Sequence, residues 1–504
     1  MLLDYLLHGM AQLFALDMLL LMCTGVAIGL FIGAMPGLTV TLGVALVLPF
    51  TFGLDSLSGI ILLTGVYCAG TYAGAITAIL INTPGTPSSV TTAWDGYPLT
   101  NQGKAAEALR LALYASVIGG LISGVFLILL SPQLAKIALK FGPPEMFALT
   151  FLGLTVIARV SGSSPIKGLI SAAAGLLFAT VGIDLVSGVP RFSFGMNFLN
   201  AGLGVIPACI GLFAIAEVFH QIEKRNKIFI PEIPESSSKT SEVSWKLLLK
   251  HKMLLMKSSL IGVGVGAIPG TGGSVASFIA YDEAKRASKN PELFGKGSYE
   301  GLMASESSNN GITGGSLIPT FTLGIPGTSS AAIFLGALMI HGLTPGPDLF
   351  RFQGELIYTV FLGFFIINII MLFLGFMASK WAISLLKIPN SILYPVVLAF
   401  CIIGGYAITG TLTGVGVSLF FGVVGYLMLK NGYPPAPMVI ALILGPKVEE
   451  SLRQSLILSS GDFSIFFTRP ISVFFIILVA LTTLIPVIRK LKLSKNIRSK
   501  TKNQ

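Results

Sequence analysis

Apolar stretches recur along the chain from Met18 to Val487, and they are continuous, not alternating with a period of two. Continuous runs argue against a transmembrane barrel. A spanning helix needs about 20 apolar residues, and divided that way the runs predict about ten to twelve membrane segments, some of them broken. The expected fold is all-α: a polytopic integral membrane protein. Of 504 residues, 53% are hydrophobic and only 11% charged, where a soluble chain carries about a quarter charged residues. Asp4 and Asp17 stand where a signal peptide would be positive, and no small-residue cleavage site follows a short apolar core. The first helix is therefore expected to be kept.

Four Pro-Gly steps interrupt the apolar runs, in two matching pairs. Pro36-Gly37 (GAMPGLT) and Pro84-Gly85 (NTPGTPSS) form the first pair; Pro269-Gly270 (GAIPGTG) and Pro326-Gly327 (GIPGTSS) form the second. Proline removes a helix donor and glycine frees the backbone beside it. In lipid, opened backbone is tolerated only when buried in protein or lining a wet cavity. Broken or re-entrant helices at corresponding places in two halves point to a transporter's binding site.

The later segments correspond too. Leu152 to Asp184 reads like Leu398 to Lys430, and Val205 to Val218 like Val439 to Glu450. Residues 1–223 thus hold an N-terminal membrane repeat, starting near 17, and residues 253–457 a second one. Residues 224–252 are a linker, 458–488 an extra membrane helix and 489–504 a basic tail. The spacing between Pro-Gly steps is about nine residues longer in the second half, matching a hydrophilic insert at Asp282 to Glu300. That insert reads as an extramembrane loop or surface helix.

Charge gives the topology. The formal net charge is +11, and the tail carries Arg489, Lys490, Lys492, Lys495, Arg498, Lys500 and Lys502 with no acid. Beside a spanning helix this is a cytoplasmic retention signal that also touches anionic lipid, rather than a nucleic-acid site. The basic stretch His220 to Lys252 is cytoplasmic by the same rule. The last helix must then enter from the opposite side, so the two repeats are inverted in the membrane.

Hydroxyls cluster at the second step of each half: Asn82, Thr83, Pro84, Gly85, Thr86 and Ser88 in one, Pro326, Gly327, Thr328, Ser329 and Ser330 in the other. Each cluster opens a new helix. Ser and Thr cap helix starts, and a helix start offers free N–H groups and positive dipole to a carboxylate. The plainer reading is that they only cap a re-entrant hairpin. A polar run from Ser305 to Ser316 lies inside the second half. Ser308, Asn309, Asn310 and Thr313, with backbone at Gly37 and Gly270, offer oxygens that suit a sodium ion at an unwound turn. The alternative is a polar helix–helix seam. Glu306 is either a cation or proton carrier or an acid at the wet end of its helix.

Other chemistry is thin. Cys23, Cys68, Cys209 and Cys401 lie singly in apolar segments, which fits packing and indicates neither disulfides nor zinc. GAIPGTGGS has glycine where a phosphate loop needs lysine. His8, His220, His251 and His341 are scattered, and no nucleophile–base pattern marks an enzyme. No cofactor beyond a coupling Na+ or H+ is indicated.

Several long motifs resemble the large membrane subunit of the tripartite tricarboxylate transporter family (the TctA type). They are GAMPGLTVTLGVALVLPFTFGLD at 33–55, YCAGTYAGAITAILINTPGTPSSVTTAWDGYPL at 67–99, GAIPGTGGSVASFIAYDEAKR at 266–286 and ASESSNNGITGGSLIPTFTLGIPGTSSAAIFLGALMIHGLTPGP at 304–347. PPAPMVIALILGPKVEESLRQSL at 434–456 and GDFSIFFTRPIS at 461–472 complete the set. The resemblance implies a bacterial inner-membrane uptake system driven by an ion gradient. Its partners would be a small membrane subunit and a periplasmic solute-binding protein. The cargo would be a small carboxylate, a tricarboxylate such as citrate or a related di- or aromatic carboxylate. A cation/proton antiporter without organic substrate is the alternative.

The inverted topology is checked by single cysteines placed in the 220–252 linker and at Gly461-Asp462. They are expected to react with impermeant reagent from opposite sides of the membrane; labelling of both from one side refutes the assignment.

Overall fold

The computed structural model describes residues 2–35, 37–160, 164–184, 187–224, 245–270, 272–385 and 389–483. Most of the linker, 225–244, and the basic tail, 489–504, lie outside the described residues.

Among the described residues the elements are helices, with one exception, a two-residue antiparallel ladder pairing Gly182–Ile183 with Pro190–Arg191. Among the described residues, seven helices are long and apolar enough to cross a membrane, and five shorter apolar helices accompany them. The protein is therefore an all-α, multi-pass membrane protein.

After α1 (Leu2–Leu13), the first half contributes eight helices. They are α2 (Leu16–Gly33), α3 (Val40–Val47), α4 (Ser56–Ile81), α5 (Val90–Asn101), α6 (Ala105–Ala138), α7 (Pro143–Val160), α8 (Pro165–Ala179) and α9 (Val205–Lys224). Eight longer helices follow in the second half in the same order, with a six-residue helix, Pro347–Phe352, between the fourth and the fifth. They are α10 (Lys252–Gly266), α11 (Gly272–Ala287), α12 (Tyr299–Leu323), α13 (Ser329–Ile340), α14 (Gly354–Leu385), α15 (Asn390–Thr409), α16 (Leu412–Lys430) and α17 (Pro435–Leu458). A last helix, α18, spans Pro470–Thr483.

Small residues set the packing within each half. A methyl at Gly29 of α2 would lie 2.6 Å from the Val66 carbonyl oxygen of α4, and one at Gly262 of α10 would lie 2.3 Å from that of Ser308 on α12. Backbones approach this closely only where a side chain is missing, the usual device of helix pairs in membranes. The longer connection in the second half is taken up by α11, which extends beyond the length of α3, and by a loop to α12.

The described residues group into two compact units, one within 1–139 and 203–435 and the other within 140–202 and 436–483. The units cut across the two halves. In the first unit α9 packs on α16, where a methyl at Gly211 would meet the Ser418 carbonyl oxygen at 2.4 Å. Six residues of α9, Ile210–Ile215, form a π-helical turn at this contact. In the second unit α8 packs on α17, where a methyl at Gly175 would meet the Met438 carbonyl oxygen at 2.4 Å. The same repeat-related pairing is thus made twice, each time between a helix of one half and a helix of the other.

The second unit also holds a charged quartet. Arg191 bonds Glu449 at 2.6 and 3.1 Å, and Arg453 reaches both Asp184 (2.8 Å) and Glu449 (2.7 Å). This ties the short ladder to α17. In the turn before α18, the Ser464 hydroxyl and N–H donate to the Asp462 carboxylate and hold its pKa below the usual carboxylate value.

Gly327→Ala is expected to destabilise the protein by about 1–3 kcal/mol, because its methyl would lie 2.2 Å from the Gly266 carbonyl oxygen. Gly264→Ala, in open space on α10, is expected to leave the melting temperature of the detergent-solubilised protein unchanged. Equal melting of the two variants would refute the packing argument.

Candidate functional site

The two hairpins are built alike. Helices α4 and α12 both end on a left-handed residue, Asn82 (φ 54°) and Gly324 (φ 68°). The next amide reaches back six residues, Thr83 N–H to the Thr77 carbonyl at 3.3 Å and Ile325 N–H to the Pro319 carbonyl at 3.2 Å. This is how a helix end satisfies its own carbonyls while the chain turns away. Asn82 is exposed and has the backbone role that Gly324 has in the other half.

Beyond each Pro-Gly step the chain passes close to the helix it has left. Gly85 N–H bonds the Gly74 carbonyl at 3.2 Å, and a methyl at Gly85 would lie 2.7 Å from the Gly33 carbonyl oxygen. At the equivalent place Gly327 lies against Gly266 and Ser316, and its carbonyl accepts from Gly270 N–H at 3.0 Å. Thr328 then caps α13, accepting from Ala331 N–H at 3.1 Å. In the first half Thr86 shares hydrogen bonds with Ser88 at 3.0 Å and with Ser89 at 2.8 Å. Gly85, Thr86, Ser88, Ser89 and Gly327 are buried, and Gly270 and Thr328 half-buried.

Each hairpin meets the other half. Ser330 shares a 2.9 Å hydrogen bond with Thr41, just after the first break of the first half. Ser88 lies against Gly273, just after the first break of the second half; a methyl there would lie 2.7 Å from Ser88 Cβ and 3.6 Å from Asn309 Oδ1. Tyr67 on α4 bonds Ser316 at 2.9 Å and Thr328 at 3.2 Å. Asn309 on α12, at the position corresponding to Tyr67, donates to the Thr71 carbonyl at 3.3 Å. The breaks therefore converge, each hairpin against the opposite half's broken segment.

The polar run differs from the expected unwound turn. Residues 299–323 form one continuous helix with Pro319 inside it. Some of its hydroxyls are spent locally: Thr313 donates to the Asn310 carbonyl at 2.6 Å and Thr320 to that of Ser316 at 2.6 Å. Successive helical residues fan out by about 100°, so the run faces several neighbours. Asn309 turns to α4, whereas Asn310 points to Met371 on α14, 4.0 Å from its sulfur. Ser308 backs Gly262 on α10 through its carbonyl. Gly37 (φ 87°) faces Gln221 on α9, and Gly270 joins the second hairpin. Of the residues considered for a cation, Asn309 stands beside the first hairpin and Gly270 beside the second. Oδ1 of Asn309 and of Asn310 and Oγ of Ser308 are buried without a hydrogen-bond partner.

Two positions at the site escaped sequence reasoning. Tyr67 sits in an unremarkable apolar run, and only its place opposite Asn309 in the repeat signals it. Asp95 is buried on α5, and its Oδ1 accepts three backbone N–H groups, from Gly295 (2.8 Å), Gly297 (3.0 Å) and Ser298 (2.8 Å). This latch fastens the second half's extra loop onto the helix that follows the first hairpin. Trp94, Tyr281 and Phe294 stack around it, and Gln102 adds a bond to the Lys296 carbonyl.

Residues 19–440 match the family described as "Tripartite tricarboxylate transporter TctA family". The chain belongs to this family. TctA proteins are transporters, so it is a membrane transport protein, a subunit of a tripartite tricarboxylate transporter. It is similar to an uncharacterized 52.8 kDa protein of the TAR-I ttuC' 3' region of Agrobacterium vitis, 36% identical over 448 residues, covering 89% of each chain. It is also similar to an uncharacterized protein of the TAR-II ttuC' 3' region of the same organism, 37% identical over 208 residues, or 41% of this chain and 86% of that one. No solved structure matches significantly.

Asp95→Asn is expected to lower stability by about 1.5–3 kcal/mol, the range for hydrogen bonds to a charged group, and to speed proteolytic cleavage within 288–298. An unchanged melting curve and unchanged cleavage would show that the latch does not hold the loop.

Proposed function

We propose that this chain is the translocating subunit of a bacterial inner-membrane system that imports a small carboxylate by symport with a cation, sodium or a proton. A small membrane subunit and a periplasmic solute-binding protein complete the system, and the binding protein sets much of the specificity. The cargo is a tricarboxylate such as citrate or a related di- or aromatic carboxylate. The linker and the basic tail face the cytoplasm, and the two halves lie inverted in the membrane.

The observation that carries this reading is the reciprocal contact of each hairpin with the other half's broken segment. It brings the starts of α5 and α13, the hydroxyls of Thr86, Ser88, Thr328 and Ser330, and the Asn309 amide into one neighbourhood. Helix starts carry unpaired N–H groups and positive dipole, which favour carboxylate over neutral cargo. A substrate bridging the two hairpins would be released when either one moves from the other half. Because the hairpins are related by the repeat, the two motions would open opposite sides.

The test is uptake of labelled citrate and other carboxylates into vesicles, with and without the partner proteins and with and without a sodium or pH gradient. Ser88→Ala, Thr328→Ala and Asn309→Ala are each expected to reduce uptake roughly tenfold, since one hydrogen bond to a charged group is worth about 1.5–3 kcal/mol. Normal uptake by all three, with normal insertion, removes the site. Ion exchange without any carboxylate uptake replaces symport with cation/proton antiport.

A further inference from the structure

Glu306 is an acid at the centre of the first unit that the carboxylate site does not use. It lies on α12, fully buried, with α5 and α6 packed on the same helix. Thr92 of α5 donates to its Oε1 at 2.5 Å, and Ser116 of α6 donates to its Oε2 at 2.8 Å. Among the described residues no Lys, Arg or His pairs with it. From α4 the ionisable neighbour is Tyr72, whose buried hydroxyl has no hydrogen-bond partner. Asp95 of α5 and Tyr281 of α11 approach α12 near Gly301, more than a turn away. No group facing Glu306 is a cation.

A buried carboxylate without a positive partner is strongly disfavoured. Two states remove the problem, a bound cation or a bound proton. A small cation needs several oxygens around it, whereas each oxygen of Glu306 is already engaged by a hydroxyl. A proton needs only one acceptor. Ser and Thr hydroxyls both donate and accept, so rotation of one hydroxyl accommodates the neutral acid: the Glu306 O–H donates, and Thr92 or Ser116 accepts. When the proton leaves, that hydroxyl turns back to donate, and no heavy atom need move far.

We propose that Glu306, held between Thr92 and Ser116, is a proton-binding site, and that the proton it carries is the coupling ion of transport. The second part rests on the transport reading above. Thr92 lies in the first turn of α5, directly after the first hairpin. Loading and unloading the acid therefore changes the hold of α12 on the helix that the hairpin begins. This joins the ion to the carboxylate site through the Thr92 hydroxyl and through Asn309, whose side chain also hydrogen-bonds Glu306.

The test is pH-difference infrared spectroscopy of the full chain reconstituted in lipid. The wild type is expected to gain a carboxylic-acid C=O stretch on acidification. Glu306→Gln, which keeps the shape and the hydrogen-bonding partners, is expected to lose that band. Thr92→Val is expected to shift its midpoint, and Glu283→Gln, at an exposed ion pair with Lys257 on other helices, to leave it unchanged. A band that persists in Glu306→Gln, or no band in the wild type, overturns the proposal. A band displaced by sodium at constant pH also overturns it, in favour of a metal cation. The carboxylate uptake screen is read separately: an intact Glu306 band with no carboxylate uptake removes the transport reading and leaves the proton site standing.

Discussion

Every helix break within an apolar environment releases backbone donors and acceptors that water cannot reach, and this structure is organised around pairing them again. The left-handed ends at Asn82 and Gly324 return the next amide to the helix just left. Gly85 and Gly270 each donate across a break, to Gly74 and Gly327. Thr328 caps the helix that follows. These bonds need backbones in near contact, which explains the glycines at 33, 74, 85, 266 and 327. A site made of broken helices is possible here only because the break points are dense in residues without side chains.

The repeat, the breaks and the hydroxyl clusters were legible in the sequence because they are local: Pro-Gly steps, Ser and Thr at helix starts, and spacing. The helix-by-helix order of the two halves follows from the same patterns. What one chain of letters does not carry is which half each hairpin touches. The Thr41–Ser330 bond joins residues far apart in sequence, and nothing in either segment names the other. The crosswise pairing of α8 with α17 and of α9 with α16 is hidden for the same reason.

One local expectation changed in the structure for reasons of backbone chemistry: the unwound turn expected in the polar run from 305 to 316 is continuous helix. Ser and Thr can return their hydroxyls to carbonyls three or four residues back, so a polar helix stays helical inside protein. Its glycines let α6 and α10 come close, which makes the run a packing seam. Asn82 also ends its helix in a left-handed conformation that asparagine tolerates.

The loop gripped by Asp95 has no counterpart in the first half. Two perfectly matching halves that exchange conformations would give a machine whose inward and outward states are equal in energy. On the proposed transport reading, one extra clasp on one side would lift that degeneracy and give the protein a preferred resting state, against which a bound cargo or partner would have to work.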